Sequence, residues 1–195
     1  MLGHYKLSPL IGFHGCERSV AEQVLAGKTH LNSSANDYDW LGSGIYFWVD
    51  SYERAWHWAL SSSSIQDPYV IGAFIDPGLC LNLTDFGINE ELRTAYQLLE
   101  QTFAGLGQPL PKNTLNHQGT LMLRRLDCAV INFLHQLRAE QGQPAFDTVY
   151  GVFEEGESLF PGSALKEKTH VQLAVRNPQT LLGYFRPHQL ADFTS

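Results

Sequence analysis

The hydrophobic periodicity of this chain changes twice, and the order of those changes limits the folds open to it. From residue 7 to residue 77, short strand-like runs interleave with short helical patterns. Residues 88–140 then carry two long patterns of period 3.6. From residue 147 onward the chain returns to strands.

In the first third, LSPLIGFH (7–14), GIYFWV (44–49) and YVIGAFIDP (69–77) read as strands, the second from its aromatic and β-branched content. Residues 17–25 read as a helix through Val20, Val24 and Leu25, stopped by Gly27. YERAWHWALS (52–61) reads as another, with Tyr52, Ala55, Trp56 and Ala59 on one face and Asp50 or Ser51 as its cap. Trp56 and Trp58 diverge by about 200° around such a helix, so one of them must meet solvent, a loop or a ligand. The Ser/Asn/Asp/Gly-rich stretch 28–44 is a loop long enough to cover a pocket.

The middle patterns span 88–105 (Leu92, Tyr96, Leu99, Phe103) and 120–140 (Leu123, Leu126, Val130, Phe133, Leu134, Leu137), with a Pro/Gly/Asn loop over 105–117. Strands are expected at 147–154, 170–177 and 180–187, the first two joined by a loop at 155–168. This order predicts a single α+β domain over 1–195 with a mixed or antiparallel sheet and a helical insertion at about 88–140. A doubly wound parallel sheet would need helices alternating to the end.

Composition narrows the function. The 195 residues are 44% hydrophobic and 17% charged, as in a globular core and unlike a disordered chain. No apolar run reaches the length of a membrane span and the first ten residues lack a signal-peptide core, so a soluble, cytoplasmic protein with no membrane partner is expected. Cys16, Cys80 and Cys128 form neither a disulfide framework nor a CxxC metal site. A net charge of −7 argues against binding nucleic acid by bulk charge, though not against a small local patch. The nearest basic cluster, LRRLD (123–127), lies in a helical pattern and reads most simply as its polar face.

The common signatures are missing: no GxGxxG between strand and helix, no GxxxxGK[ST], no HExxH, no GxSxG. No histidine pair has metal-ligand spacing, so no metal is expected, and Cys16 beside His14 lacks an orienting third group for a nucleophilic dyad. What remains is an aromatic-walled pocket. Tyr46 offers a ring for stacking, and Gly15, Gly42 and Gly44 let a ligand approach the backbone. Taken singly, His14 at a strand end and Tyr46 in an aromatic run would both pass for packed residues.

Together they carry a resemblance. FHG at a strand end, a helix ending LAGK, a polar loop, and GSGIYF leading into a helix resemble the ADP-ribosyltransferase superfamily. The likeness is to the poly(ADP-ribose) polymerase-like branch and its bacterial and phage toxin relatives. HVQLAVRNPQTLLGYF (170–185) is similar to that branch's third motif, with Gln172 at the position usually held by Glu. The resemblance covers roughly 8–60 and 147–186 and leaves 88–140 unmatched.

The resemblance implies a split, mixed or antiparallel sheet with flanking helices and NAD⁺ bound in its cleft. His14 would bond the adenosine-side ribose, the Gly15 backbone would hold the nicotinamide carboxamide, and Tyr46 would stack on the nicotinamide. Gln172 would meet the 2′-OH of the nicotinamide ribose. Cys16 and Gly44 adjoin those motifs in the expected NAD⁺ lining. Arg54 stands where the family often has a Ser, and His57 where a second stacking Tyr often lies. Loss of the Glu goes in the family with mono-transfer or with inactivity. Among Glu154, Glu155 and Glu157, which otherwise read as a solvated turn, Glu155 is the candidate to supply the missing carboxylate.

The implied activity is release of nicotinamide and transfer of one ADP-ribose to a macromolecular acceptor, protein or nucleic acid, in a toxin or effector that an antitoxin or immunity protein could restrain. Three alternatives stand beside it: an NAD⁺ glycohydrolase, a non-catalytic module binding NAD⁺ or ADP-ribose, and a tRNA 2′-phosphotransferase. The last expects a more basic cleft than this chain offers.

Overall fold

The strand patterns at the two ends of the chain join in one seven-stranded sheet. The computed structural model describes residues 8–115 and 121–188. Its elements are β1 (Leu10–Glu17), α1 (Arg18–Leu25), β2 (Ile45–Val49), α2 (Tyr52–Ser61), β3 (Pro68–Ile75), β4 (Cys80–Asn82), α3 (Asn89–Gly105), β5 (Asn113–Leu115), β6 (Leu121–Arg124), α4 (Arg125–Glu140), β7 (Thr148–Phe153), β8 (His170–Val175) and β9 (Leu181–Phe185). The sheet order is β4-β7-β8-β2-β1-β3-β9. Only the β4–β7 pairing is parallel, so the sheet is mixed and the class is α+β.

Three local expectations change and one strand is added. The first strand runs over Leu10–Glu17 rather than 7–14, paired along its whole length with β3; Leu7 lies outside the described residues. The long helix expected over 120–140 begins only at Arg125, because Leu121–Arg124 pair with β5 in a small separate hairpin. The reason is non-local: Asn113 Oδ1 accepts from the backbone N–H of Leu126 at 2.9 Å and of Asp127 at 3.3 Å, capping the helix from across the hairpin. The three-residue β4 is too short to leave a period in the sequence. Before α2, the Ser51 side chain makes no capping bond, and Asp50 takes a left-handed φ of 52°.

Each strand sends alternate residues to the two faces. One face carries Ile45, Phe47, Val49, Ile71, Ala73, Ile75, Leu173 and Val175 and is closed by Ala21 and Val24 of α1 with Leu31. The other face is covered in two places. At the β1–β3 end, Ala55 of α2 packs with Trp48, Val70 and Phe13. At the β7 end, Ala95 of α3 and Ile131 and Leu134 of α4 pack with Val149, Phe153 and Ala174. The helices of the 88–140 segment therefore share a core with the sheet, tied together by the half-buried Arg138–Glu91 pair. Among the described residues, no helix is long and apolar enough to cross a membrane.

The sheet is continuous but thin at its centre. β1 and β2 pair only at Gly12–Val49 and Phe13–Trp48, whereas β1 and β3 pair over eight positions. Beyond Phe13 the two central strands part. The sheet is thus one continuous sheet whose two central strands diverge locally.

Candidate active-site cavity

The divergence opens onto a cavity of about 710 Å³ on the face between α2 and the loop 28–44. That is ample for a cofactor-sized ligand. Tyr46, Trp48 and Gln172 lie in its floor, since Trp48 pairs directly with Gln172, and Tyr46 with Ala174. Arg54, His57 and Trp58 come from α2; Ser34, Asn36, Asp39 and Trp40 from the loop; Glu155 and Lys168 from the β7–β8 connection.

His14 reaches the same cavity by an unexpected route. Strict alternation groups it with Gly12 and Cys16, on the face opposite Phe13 and Trp48. Because β1 and β2 have parted, its imidazole sits in the gap, with Nδ1 2.7 Å from the Tyr46 carbonyl oxygen. A carbonyl only accepts, so Nδ1 carries the proton. Burial pushes the His14 pKa down, so the ring is neutral at pH 7 and its Nε2 is an acceptor. A hydroxyl or N–H donor could meet it.

Tyr46 is fixed at its far end. Its hydroxyl donates to Gly42 O at 2.7 Å and accepts from Leu41 N at 2.8 Å. Burial raises its pKa well beyond the usual phenol range, so it offers a ring wall and not a proton. The turn that holds it needs Gly42: at φ 74°, a Cβ there would lie 2.7 Å from Asn132 Oδ1, which itself accepts from Ser43 N. Asp39 secures the rest of the loop, accepting from Ser34 Oγ at 2.7 Å and from Asn36 N at 2.9 Å.

The Gln172 half of the cavity is different. Trp48 Nε1, Gln172 Oε1 and Arg54 Nε are all buried with no hydrogen-bond partner in the protein. Trp48 Nε1–H is a donor and Gln172 Oε1 an acceptor, on directly paired residues. One hydroxyl could satisfy both. Arg54 Nη2 donates to Glu155 Oε2 at 2.9 Å, and its Nη1 stands 3.5 Å from His57 Nδ1. Of the three loop glutamates, Glu155 alone lines the cavity, while Glu154 and Glu157 are exposed. His170 sits behind Glu155. Its Nδ1–H donates to Lys168 O at 2.7 Å, and its Nε2 is buried and unpaired. Burial above all, with Arg54 and Arg124 nearby, lowers its pKa and keeps it neutral.

Two residues expected to bind the cofactor do not line the cavity. Gly15 is packed beneath α2, where a Cβ would lie 2.6 Å from Ala55 O and 3.0 Å from Ala59 Cβ; its lack of a side chain serves helix–sheet packing. Cys16 is buried in the core on the α1 side, its thiol pushed up to about 11 by burial. His14, Gly44, Tyr46, Arg54, His57, Glu155 and Gln172 do come together. The tryptophan left over from the α2 core is Trp58, 42% exposed and set against Trp48 at the cavity wall. Trp48 and His170 escaped the sequence reading, since each passes for an ordinary buried strand residue. Among the described residues no group of three or more His, Cys, Asp or Glu could hold a metal ion.

Comparison with protein-family models, with curated proteins and with solved structures gives no match.

Proposed function

We propose that the protein cleaves NAD⁺ at the bond between nicotinamide and ribose and transfers a single ADP-ribose to a macromolecular acceptor. The observation that carries this reading is the unpaired Trp48 N–H beside the unpaired Gln172 carbonyl, in a cavity that also holds a neutral His14 acceptor and the Tyr46 ring. A dinucleotide supplies what each half lacks: ribose hydroxyls for His14 and for the Trp48–Gln172 pair, a flat ring for Tyr46, and a diphosphate for Arg54 and Lys168.

Breaking the glycosidic bond leaves positive charge on the ribose, while its electron pair departs with nicotinamide. An acceptor on the 2′-OH stabilises that charge. The Gln172 amide oxygen does so through its dipole. A carboxylate does it more strongly, and Glu155 is the carboxylate in the cavity. Its bond to Arg54 holds it in place. Glu155 is also the base that takes the proton from an acceptor nucleophile as the new bond to ribose forms.

Incubation of the protein with NAD⁺, followed by mass spectrometry of the small-molecule products, tests the reading. Free nicotinamide is expected, with a loss of roughly a hundredfold in Glu155→Gln. Release of nicotinamide with free ADP-ribose and no labelled acceptor would make water the acceptor. Saturable NAD⁺ binding without release would make the protein a binding module.

A further inference from the structure

We propose that a second cavity, separated from the first by Trp40, is an acceptor subsite that takes a single nucleobase. Its chemistry rests on the NAD⁺ reading above; its binding does not. The cavity holds about 340 Å³ between α3, α4 and the edge of the sheet at β7. Trp40 lines both cavities. His14 stands on β1, Gln172 on β8, and this second cavity lies beyond them at β7. An NAD⁺ running from His14 to Gln172 would therefore leave it free, on the nicotinamide-ribose side from which an acceptor must come.

The walls suit a flat heteroaromatic ring. Trp40, Tyr96 and Phe153 line it together with aliphatic side chains such as Leu92. The Arg124 guanidinium lies 4.5 Å from the Trp40 ring centroid and 4.7 Å from that of Phe153, so its plane is held among aromatic faces. Its Nη1 is 3.5 Å from Asp127 Oδ2, but its Nε–H is buried with no partner. Asp127 accepts one bond from Asn113 Nδ2 at 2.8 Å and keeps lone pairs to spare. The cavity thus sets a donor beside an acceptor. A base edge that carries a carbonyl next to a ring N–H meets both, whereas an aliphatic side chain meets neither and a carboxylate would face Asp127.

A further arginine lines the cavity: Arg93 makes an exposed pair with Glu90 at 3.3 Å. Such a pair contributes little and can be exchanged for phosphate. The acidic net charge then matters less, because recognition comes from one enclosed base and few phosphates. In the transfer, a base nitrogen bonds to the ribose C1 as the bond from C1 to nicotinamide breaks. The leaving pair stays on nicotinamide, and the proton of the base nitrogen passes to Glu155.

The test incubates the whole protein and NAD⁺ with single-stranded homopolymers of each base, with the matching free nucleoside monophosphates, and with a mixture of purified proteins. Digested products are read by mass spectrometry, and base binding without NAD⁺ by tryptophan fluorescence. ADP-ribose is expected on one kind of base. Modification of oligomers alone identifies nucleic acid as the source, and equal modification of monophosphates identifies free nucleotide. Leu92→Trp, which fills the cavity, and Arg124→Gln, which removes the planar cation, should each lower base transfer relative to nicotinamide release roughly tenfold, the size of one lost base-stacking contact. Nicotinamide release with no modified base, ADP-ribose on protein alone, or normal transfer in both variants would overturn the proposal and leave the NAD⁺ reading intact. If no nicotinamide is released, the NAD⁺ reading fails. The subsite then stands only if homopolymers quench fluorescence saturably and Arg124→Gln weakens that quenching.

Discussion

The two ends of the main cavity treat their polar atoms in opposite ways. At the His14–Tyr46 end the chain satisfies its own groups: Nδ1 of His14 bonds the Tyr46 carbonyl, the Tyr46 hydroxyl bonds Gly42 and Leu41, and Asp39 binds its neighbours in the loop. At the Gln172 end, Trp48 Nε1, Gln172 Oε1 and Arg54 Nε are buried and unpaired. Each such group costs about 1–3 kcal/mol. The cavity thus closes on itself at one end and leaves buried polar atoms unpaired at the other. The difference teaches that stability and activity should separate along the cavity.

Gln172→Met is the largest break in this comparison. It removes an unpaired buried carbonyl while keeping the side chain's length. Nicotinamide release should fall about a hundredfold while the urea midpoint rises, by about 1 kcal/mol of stability. Steady-state assays and equilibrium unfolding check the two halves. A fall in both would mean that Gln172 is held by contacts within the fold. Trp48→Phe removes the N–H together with part of the indole packed on Trp58; turnover should drop roughly tenfold, with a stability loss of about 1–3 kcal/mol from the space left in the core.

Tyr46→Phe should do the reverse of Gln172→Met. It strips the Leu41 N–H and Gly42 carbonyl of their shared partner, so stability should fall by about 1–3 kcal/mol, with a smaller effect on turnover than either substitution above. An unchanged midpoint would show that the 41–44 turn holds without the hydroxyl.

Lowering the pH tests a region away from the cavity. His135, on α4, is buried against Phe146 with both ring nitrogens unpaired. Burial first, then Arg176 and Arg138, push its pKa down to about 3. His14 and His170 are shifted the same way by burial. The folded state binds these protons less readily than the unfolded chain does. Their neutral forms therefore favour folding above the ordinary histidine pKa of about 6.5, and that contribution is lost as pH falls from there toward 3. Unfolding midpoints measured from pH 7 down to pH 4 should decline, with a shallower slope in His135→Phe.

Much of the framework was legible because it is local. The period-2 runs at 44–49, 147–154 and 170–177 and the helical faces of 52–61 and 88–105 all became the elements they predicted. His14, Tyr46 and Gln172 were grouped by the family resemblance, and all three line one cavity. What escaped depends on distant groups. Leu121–Arg124 are strand and not helix because Asn113 reaches over to cap α4. Gly15 reads as a ligand contact until α2 is seen to leave no room for a side chain. Trp48 and His170 look like core positions, and only the absence of a partner for Nε1 and Nε2 sets them apart. Their unpaired atoms have no signature in sequence, because pairing is a property of the assembled site.

The central claim is that the unpaired end of the cavity is completed by NAD⁺. The most direct measurement is the indole N–H resonance of Trp48 in a ¹⁵N-labelled protein titrated with NAD⁺, assigned by its absence in Trp48→Phe. The account predicts a saturable downfield shift as the N–H gains an acceptor, lost in Gln172→Met only in so far as binding weakens. A Trp48 resonance that stays fixed while NAD⁺ binds elsewhere on the protein would contradict it.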